Sequence, residues 1–289
     1  MVRRCHICEK KVQHHTKFCP RCRVHAHTRR EQAARTRALK AAWNKKRNGF
    51  ICYYTGVKLE EKDRSSPWYI SFDHRTPRKK GDLVVCARWV NSMKTEFSEA
   101  EFRAIIIELA RCRAAGDEFN MSVAKFEFWV GPADQKPRKL LTLTDLRLPK
   151  IGNCIICRER TVPHSYYCPG CRHIVRNGES IRERTTAMQL TWDPVKKGFI
   201  CHFTKLKVEL FDRKDPRYIT FDHRIPRQAG TLIVAVAFVN IMKSDLSEDE
   251  FWLVVPELAD HFLTGKPFNR NIIKFRYWKR PKIARKTGK

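Results

Sequence analysis

Long apolar runs are missing from this chain: no stretch approaches the ~18 consecutive apolar residues that a membrane-crossing helix requires. Met1-Val2-Arg3-Arg4 leads straight into Cys5 with no apolar segment behind it, so no secretion signal is expected. Negative charge is scarce as well. Only 30 Asp and Glu stand against 59 Lys and Arg, a formal net charge of +29 over 289 residues. A single basic run reads as a solvated face. An excess spread along the whole chain points instead to a polyanionic partner. The expectation is an intracellular, cytoplasmic, nucleic-acid-associated protein with no membrane partner.

Cysteine is not scarce. Of 12 cysteines, eight fall in four Cys-x-x-Cys pairs, and Cys52, Cys86, Cys112 and Cys201 are scattered. Without a secretion signal, such pairs read as metal clamps rather than disulfides. Cys5 and Cys8 are followed ten residues later by Cys19 and Cys22, and Cys154 and Cys157 stand in the same relation to Cys168 and Cys171. Two knuckles at this separation suit a tetrahedral four-cysteine site, with Pro20 and Pro169 helping to set the turns. So few apolar residues lie nearby that the metal must supply much of the local folding energy. Two structural Zn²⁺ per chain are expected, iron or a redox role being the alternatives. His15 and His164 recur together, but four thiolates already fill the tetrahedron, so both read as surface or outer histidines.

The spacing repeats because the chain does. A shift of 149 residues superimposes it on itself without a gap from Cys5/Cys154 to Trp129/Trp278. A period this long indicates a duplicated domain rather than a solenoid. The expected organisation is a zinc module at 1–27, a helix and core domain at 28–130, and a Pro-containing linker at 131–150. The second copy follows as a zinc module at 151–176 and its core at 177–279, with a basic tail at 280–289.

Within each copy the coarse pattern is α+β. A helix should follow each zinc module. Ser180-x-x-Glu183 reads as a capping box with Ile181, Met188 and Trp192 on one face, and Leu39 and Trp43 mark that face in the first copy. Arg29, Arg30, Arg35, Arg37 and Lys40 surround it and are candidates for a phosphate backbone. Ser98-x-x-Glu101 and Ser247-x-x-Glu250 predict a later helix, with Phe102, Ile105, Ile106 and Leu109 at helical spacing. Phe126-Glu127-Phe128-Trp129 and Phe275-Arg276-Tyr277-Trp278 read as short closing strands.

Between these helices lies the stretch that carries chemistry. Ser71-Phe72-Asp73-His74-Arg75-Thr76-Pro77 is followed, 18 residues after its aspartate, by Asn91, and Thr220-Phe221-Asp222-His223-Arg224-Ile225-Pro226 is followed by Asn240 at the same distance. Each predicts a strand ending at Asp-His, a turn, a returning strand and a helix bearing Asn-x-x-Lys. Hard oxygen donors such as a carboxylate and an amide carbonyl suit a divalent cation, and a neutral imidazole suits proton abstraction near neutral pH.

This pattern resembles the HNH (ββα-metal) endonuclease family over roughly residues 50–102 and 199–251, including the opening Cys-x-x-Thr of each copy. By texture the nearest kin are homing and rare-cutting restriction enzymes. The resemblance implies two tandem, pseudo-twofold-related copies of zinc module, basic helix and ββα-metal unit. It implies Mg²⁺ or Mn²⁺ held by Asp73 and Asn91, and by Asp222 and Asn240, with His74 and His223 as general bases. Asp82 and Thr231 stand where the family carries a supporting asparagine. Arg75, Arg224, Lys94 and Lys243 are expected to support the centre or contact phosphate. The implied activity is double-stranded DNA cleavage by one monomeric chain acting as a pseudo-dimer, each centre cutting one strand to leave 5′-phosphate and 3′-hydroxyl ends. The alternative is a nucleic-acid-binding protein or nickase in which one or both units are only scaffold.

Overall fold

The computed structural model describes residues 3–13, 16–26, 31–132, 152–161, 165–176 and 180–278. His15, His164, Arg29, Arg30, nearly all of the expected linker and the basic tail lie outside the described residues. The chain divides into two compact units. One comprises Met1–Ile107, Val123–Phe128 and Glu250–Lys289, the other Glu108–Ser122 and Trp129–Asp249. These units do not follow the repeat boundaries: each takes in a late segment of the other copy.

In the first unit, α1 (Pro20–Ala26) grows out of the second cysteine knuckle and α2 (Gln32–Ala42) follows. The two-residue strands β1 (Trp43–Asn44) and β2 (Gly49–Phe50) pair antiparallel. Next come β3 (Ile70–His74), β4 (Leu83–Ala87), α3 (Arg88–Lys94) and α4 (Glu99–Ala115), whose last turns belong to the second unit. The β3–β4 hairpin is antiparallel, with Ile70 opposite Ala87 and His74 opposite Leu83. α2 packs on β4 through buried Ala34, Ala38 and Leu39.

The second copy repeats the order with α5 (Pro169–Arg176), α6 (Ile181–Thr191), β5 (Trp192–Asp193) and β6 (Gly198–Phe199). They are followed by β7 (Ile219–His223), β8 (Leu232–Val236), α7 (Ala237–Lys243) and α8 (Glu248–Thr264). α8 reverses the path of α4, beginning in the second unit and passing into the first.

The expected capping box at Ser98 closes. The Ser98 amide donates to Glu101 Oε2 at 3.0 Å and the Glu101 amide to Ser98 Oγ at 3.2 Å. Phe102, Ile105, Ile106 and Leu109 are all fully buried, as their spacing predicts. Three expectations need correction. Ser180 sits at φ 63° and its side chain makes no cap, because a left-handed residue turns its hydroxyl away from the first-turn amides. Trp43 and Trp192 lie just past their helices, on β1 and β5, where each packs against a phenylalanine of the partner strand, Phe50 or Phe199. The closing aromatic segments are turns, not strands, since Phe126 and Phe275 adopt φ 55° and 50°.

The late segments explain why the units cross the repeats. In the first unit Phe268 and Phe275, from the second copy, pack their rings 5.6 Å from that of Trp89, and the Phe268 amide donates to the Thr55 carbonyl at 3.0 Å. In the second unit Phe119, from the first copy, packs 5.3 Å from Phe238, and its amide donates to the Thr204 carbonyl at 2.9 Å. Phe119 and Phe268 are equivalent positions, as are Thr55 and Thr204. The exchange is therefore reciprocal.

Candidate metal clamps and Asp-His-Asn centres

Two four-cysteine clusters assemble as the spacing predicts. The sulfurs of Cys5, Cys8, Cys19 and Cys22 lie within 4.8 Å of one another, as do those of Cys154, Cys157, Cys168 and Cys171. The Cys8–Cys19 and Cys157–Cys168 sulfur separations are each 3.5 Å. A tetrahedron with Zn–S bonds of ~2.3 Å has sulfur–sulfur edges of about 3.8 Å, so both clusters fit zinc. Burial raises the Cys5 thiol, but backbone amides of Cys8, Cys19 and Ile7 aimed at its sulfur bring it down to about 7, and Cys154 is treated alike. Cys52 and Cys201 are separate: each is buried and accepts a backbone amide, from Ala87 at 3.3 Å and Val236 at 3.4 Å.

The hairpin and the following helix bring the Asp-His pair and the asparagine of each copy together. Asn91 Nδ2 donates to the Phe72 carbonyl at 3.3 Å and to Ser71 Oγ at 2.8 Å, and Asn240 Nδ2 donates to the Phe221 carbonyl at 3.3 Å. With Nδ2 anchored on the residue before the aspartate, Oδ1 of each asparagine is left without a protein partner among the described residues. That is the orientation an oxygen ligand needs.

Of the two roles expected for the lysines, the structure has them supporting the centre and not contacting phosphate. Lys94 and Lys243 are fully buried, so neither can reach a phosphate. Lys94 Nζ lies 3.1 Å from Asp73 Oδ2 and donates to the His74 carbonyl at 2.9 Å; Lys243 Nζ lies 2.9 Å from Asp222 Oδ2 and donates to the His223 carbonyl at 3.0 Å. A buried carboxylate is costly unless paired, and the ammonium supplies the pair. Burial still pushes both aspartates above the ordinary carboxylate range, with the lysines pulling the other way. α3 and α7 end immediately afterwards at Thr95 (φ 50°) and Ser244 (φ 51°), a backbone region that non-glycine residues rarely adopt.

Around this shared frame the copies differ. Tyr54 donates its hydroxyl to Asp73 Oδ2 at 2.6 Å, but the second copy has Phe203 there, and Asp222 Oδ2 is buried without a hydrogen-bond partner. That oxygen does lie close to Lys243, but without the alignment of a hydrogen bond. His74 Nε2 faces Glu31 Oε2 at 3.4 Å, where the second copy has Ser180. His223 instead engages its other nitrogen: Nδ1 lies 3.1 Å from the Gln228 carbonyl, which also accepts the Thr231 hydroxyl at 2.7 Å. Thr231 thus supports His223 through that carbonyl. Asp82 does not support His74, because its carboxylate is held by Arg75 at 2.6 Å. Arg224 turns to Glu248, which also binds His202 at 2.7 Å.

The residues of the second centre fit a hard divalent cation: a carboxylate oxygen held only by the Lys243 ammonium and an amide oxygen without a partner among the described residues are the right donors. In the first centre the carboxylate is occupied by both hydroxyl and ammonium. On the basic helix, Arg37 and Lys40 are exposed, whereas the Arg35 guanidinium stacks 4.3 Å from the Phe72 ring, as Arg184 does at 4.7 Å over Phe221.

The chain matches no known family, no curated protein and no solved structure. Among the described residues, no helix is long and apolar enough to cross a membrane. The functional reading therefore rests on the chemistry of the two centres and the two clamps.

Proposed function

We propose that this chain is a metal-dependent, site-specific endonuclease of the HNH type acting on double-stranded DNA, with one centre for each strand. The observation that carries the reading is the arrangement present in both units. A strand-end Asp-His pair lies against a helix-borne asparagine whose Nδ2 is anchored and whose Oδ1 is free. Asp73 with Asn91, and Asp222 with Asn240, would hold one Mg²⁺ or Mn²⁺ per centre. The bound cation supplies positive charge beside the phosphate oxygen and the departing 3′-oxygen.

The rest of the step belongs to the chain. His74 or His223 takes a proton from the attacking water, whose oxygen bonds to phosphorus as the P–O3′ bond breaks. The 3′-oxygen then takes a proton from solvent, leaving 5′-phosphate and 3′-hydroxyl ends. In the second centre, Nδ1–H donated to the Gln228 carbonyl leaves Nε2 as the basic nitrogen. The zinc modules and exposed Arg37 and Lys40 supply the backbone contacts that hold flanking DNA, and the net charge of +29 favours them.

A second reading, binding without cleavage at one or both centres, draws support from the lysine ammonium seated on each aspartate, which neutralises the anionic ligand. Supercoiled-plasmid nicking with Mg²⁺ or Mn²⁺ separates the two. Cleavage by the native chain should vanish in His74→Ala/His223→Ala while DNA binding persists; undiminished cutting by that double variant rejects the assignment.

A further inference from the structure

Tyr54 and Phe203 are equivalent positions in the duplication, as are Glu31 and Ser180. Each difference acts on a reacting group of the proposed site, and all act in the same direction. In the first centre the Tyr54 hydroxyl takes a lone pair of Asp73 Oδ2, burial and the Asp73 charge holding the phenol protonated as a donor. Glu31 stands over His74 Nε2, and no described residue anchors Nδ1. In the second centre Asp222 is only 7% exposed, and its Oδ2 has no hydrogen-bond partner among the described residues, facing only the Lys243 ammonium 2.9 Å away. His223 is anchored through Nδ1, with Nε2 left open.

We propose that the two centres are unequal by construction: Asp222–His223–Asn240 is open to a divalent cation and water, whereas Tyr54 and Glu31 hold Asp73–His74–Asn91 closed. The chain then nicks one defined strand well before it cuts the other. Tyr54 and Glu31 are positioning residues, acting through the carboxylate and the imidazole. The inference rests on the endonuclease reading and adds to it an order of events and the residues that set it. A buried oxygen that lacks a hydrogen bond is rare in a folded protein, since leaving it so costs free energy. An oxygen that faces only the Lys243 ammonium, on the strand next to a helix-borne amide oxygen, is the more available ligand for a cation. Its absence from the twin site is due to one hydroxyl.

The test is Mn²⁺ binding to the full-length, zinc-loaded chain, followed by electron paramagnetic resonance, together with strand-labelled cleavage of one duplex. The native chain should show one Mn²⁺ bound at least ten-fold more tightly than a second. Asp222→Asn should remove the tight site. Tyr54→Phe/Glu31→Ser, which installs residues that the twin copy already accommodates, should tighten the weak site at least ten-fold and speed cutting of the slow strand. Phe203→Tyr should weaken the tight site and provides an independent arm if the double variant misfolds. Two equal sites in the native chain, or a weak site unmoved by Tyr54→Phe/Glu31→Ser, would overturn the inequality while leaving the endonuclease reading intact. No Mn²⁺ at either centre would overturn both.

Discussion

Replacing Lys243 with methionine tests whether the buried ammonium is structural. Its Nζ lies 2.9 Å from Asp222 Oδ2 and 3.2 Å from Oδ1, and the side chain is fully buried. Methionine fills a similar volume but leaves the Asp222 carboxylate with no counter-charge, a change that typically costs about 3–5 kcal/mol. In a unit of this size that lowers Tm by roughly 6 to 20 °C. Lys94→Met should cost about 1.5–3 kcal/mol less, because Tyr54 still donates to Asp73 and a hydrogen bond to a charged group contributes that much.

The pH dependence follows from the aspartate. Burial already raises Asp222 above its ordinary value, and Lys243 opposes that rise. Without the lysine the folded-state pKa moves higher still, so the stability retained by the protonated form is lost as pH climbs through that value. The deficit of Lys243→Met should therefore be largest near pH 8 and shrink toward about pH 5.5, above the range in which protonated thiols release zinc. Differential scanning calorimetry of native, Lys243→Met and Lys243→Met/Asp222→Asn chains reads all three effects. A Tm loss under about 2 °C, a deficit indifferent to pH, or no recovery with Asp222→Asn would refute the reasoning.

Elemental analysis should return about two zinc ions per chain, and Cys19→Ser should lose one of them and unfold the first module, while the second cluster keeps its metal. Phe268→Ala should destabilise by about 3–5 kcal/mol, and hydrogen exchange should accelerate around Thr55 and Trp89 rather than around Asp222, because that ring fills the first unit. Thr95→Gly should raise stability by about 1 kcal/mol in urea denaturation, since φ 50° suits glycine and the Thr95 hydroxyl is buried without a partner.

Much of each centre was legible because its signals are local. An alternating strand ending in Asp-His, a turn and an apolar returning run fix which face the aspartate takes, and the hairpin then places Asn91 against Phe72. The Ser98 capping box was legible for the same reason, whereas Ser180 has the right residues in the wrong backbone region. The burial of Lys94 was missed because lysine is ordinarily exposed. The clue is that Val90, one helical turn earlier, is apolar and fully buried, so Lys94 stands on the inward side of α3 rather than with half-exposed Ser92. The reciprocal exchange was not legible at all. Periodicity identifies Phe119 and Phe268 as buried, but no pattern in a duplicated sequence says which copy supplies the pocket.

That exchange bears on why two copies stay in one chain. A lone first copy would expose Trp68 and Trp89 where Phe268 and Phe275 now pack, so an isolated repeat is incomplete and would have to recruit the same segment from a second molecule. A pair of identical repeats could satisfy that need, but it would carry either Tyr54 in both centres or phenylalanine in both. Covalent tandem copies remove the constraint: the exchanged Phe119 and Phe268 stay the same residue while those over each Asp-His pair diverge. The differences fit this division. Thr55 and Thr204, which accept the exchanged backbone, are the same residue, whereas Tyr54 and Phe203 beside them, which bear on the chemistry, are not.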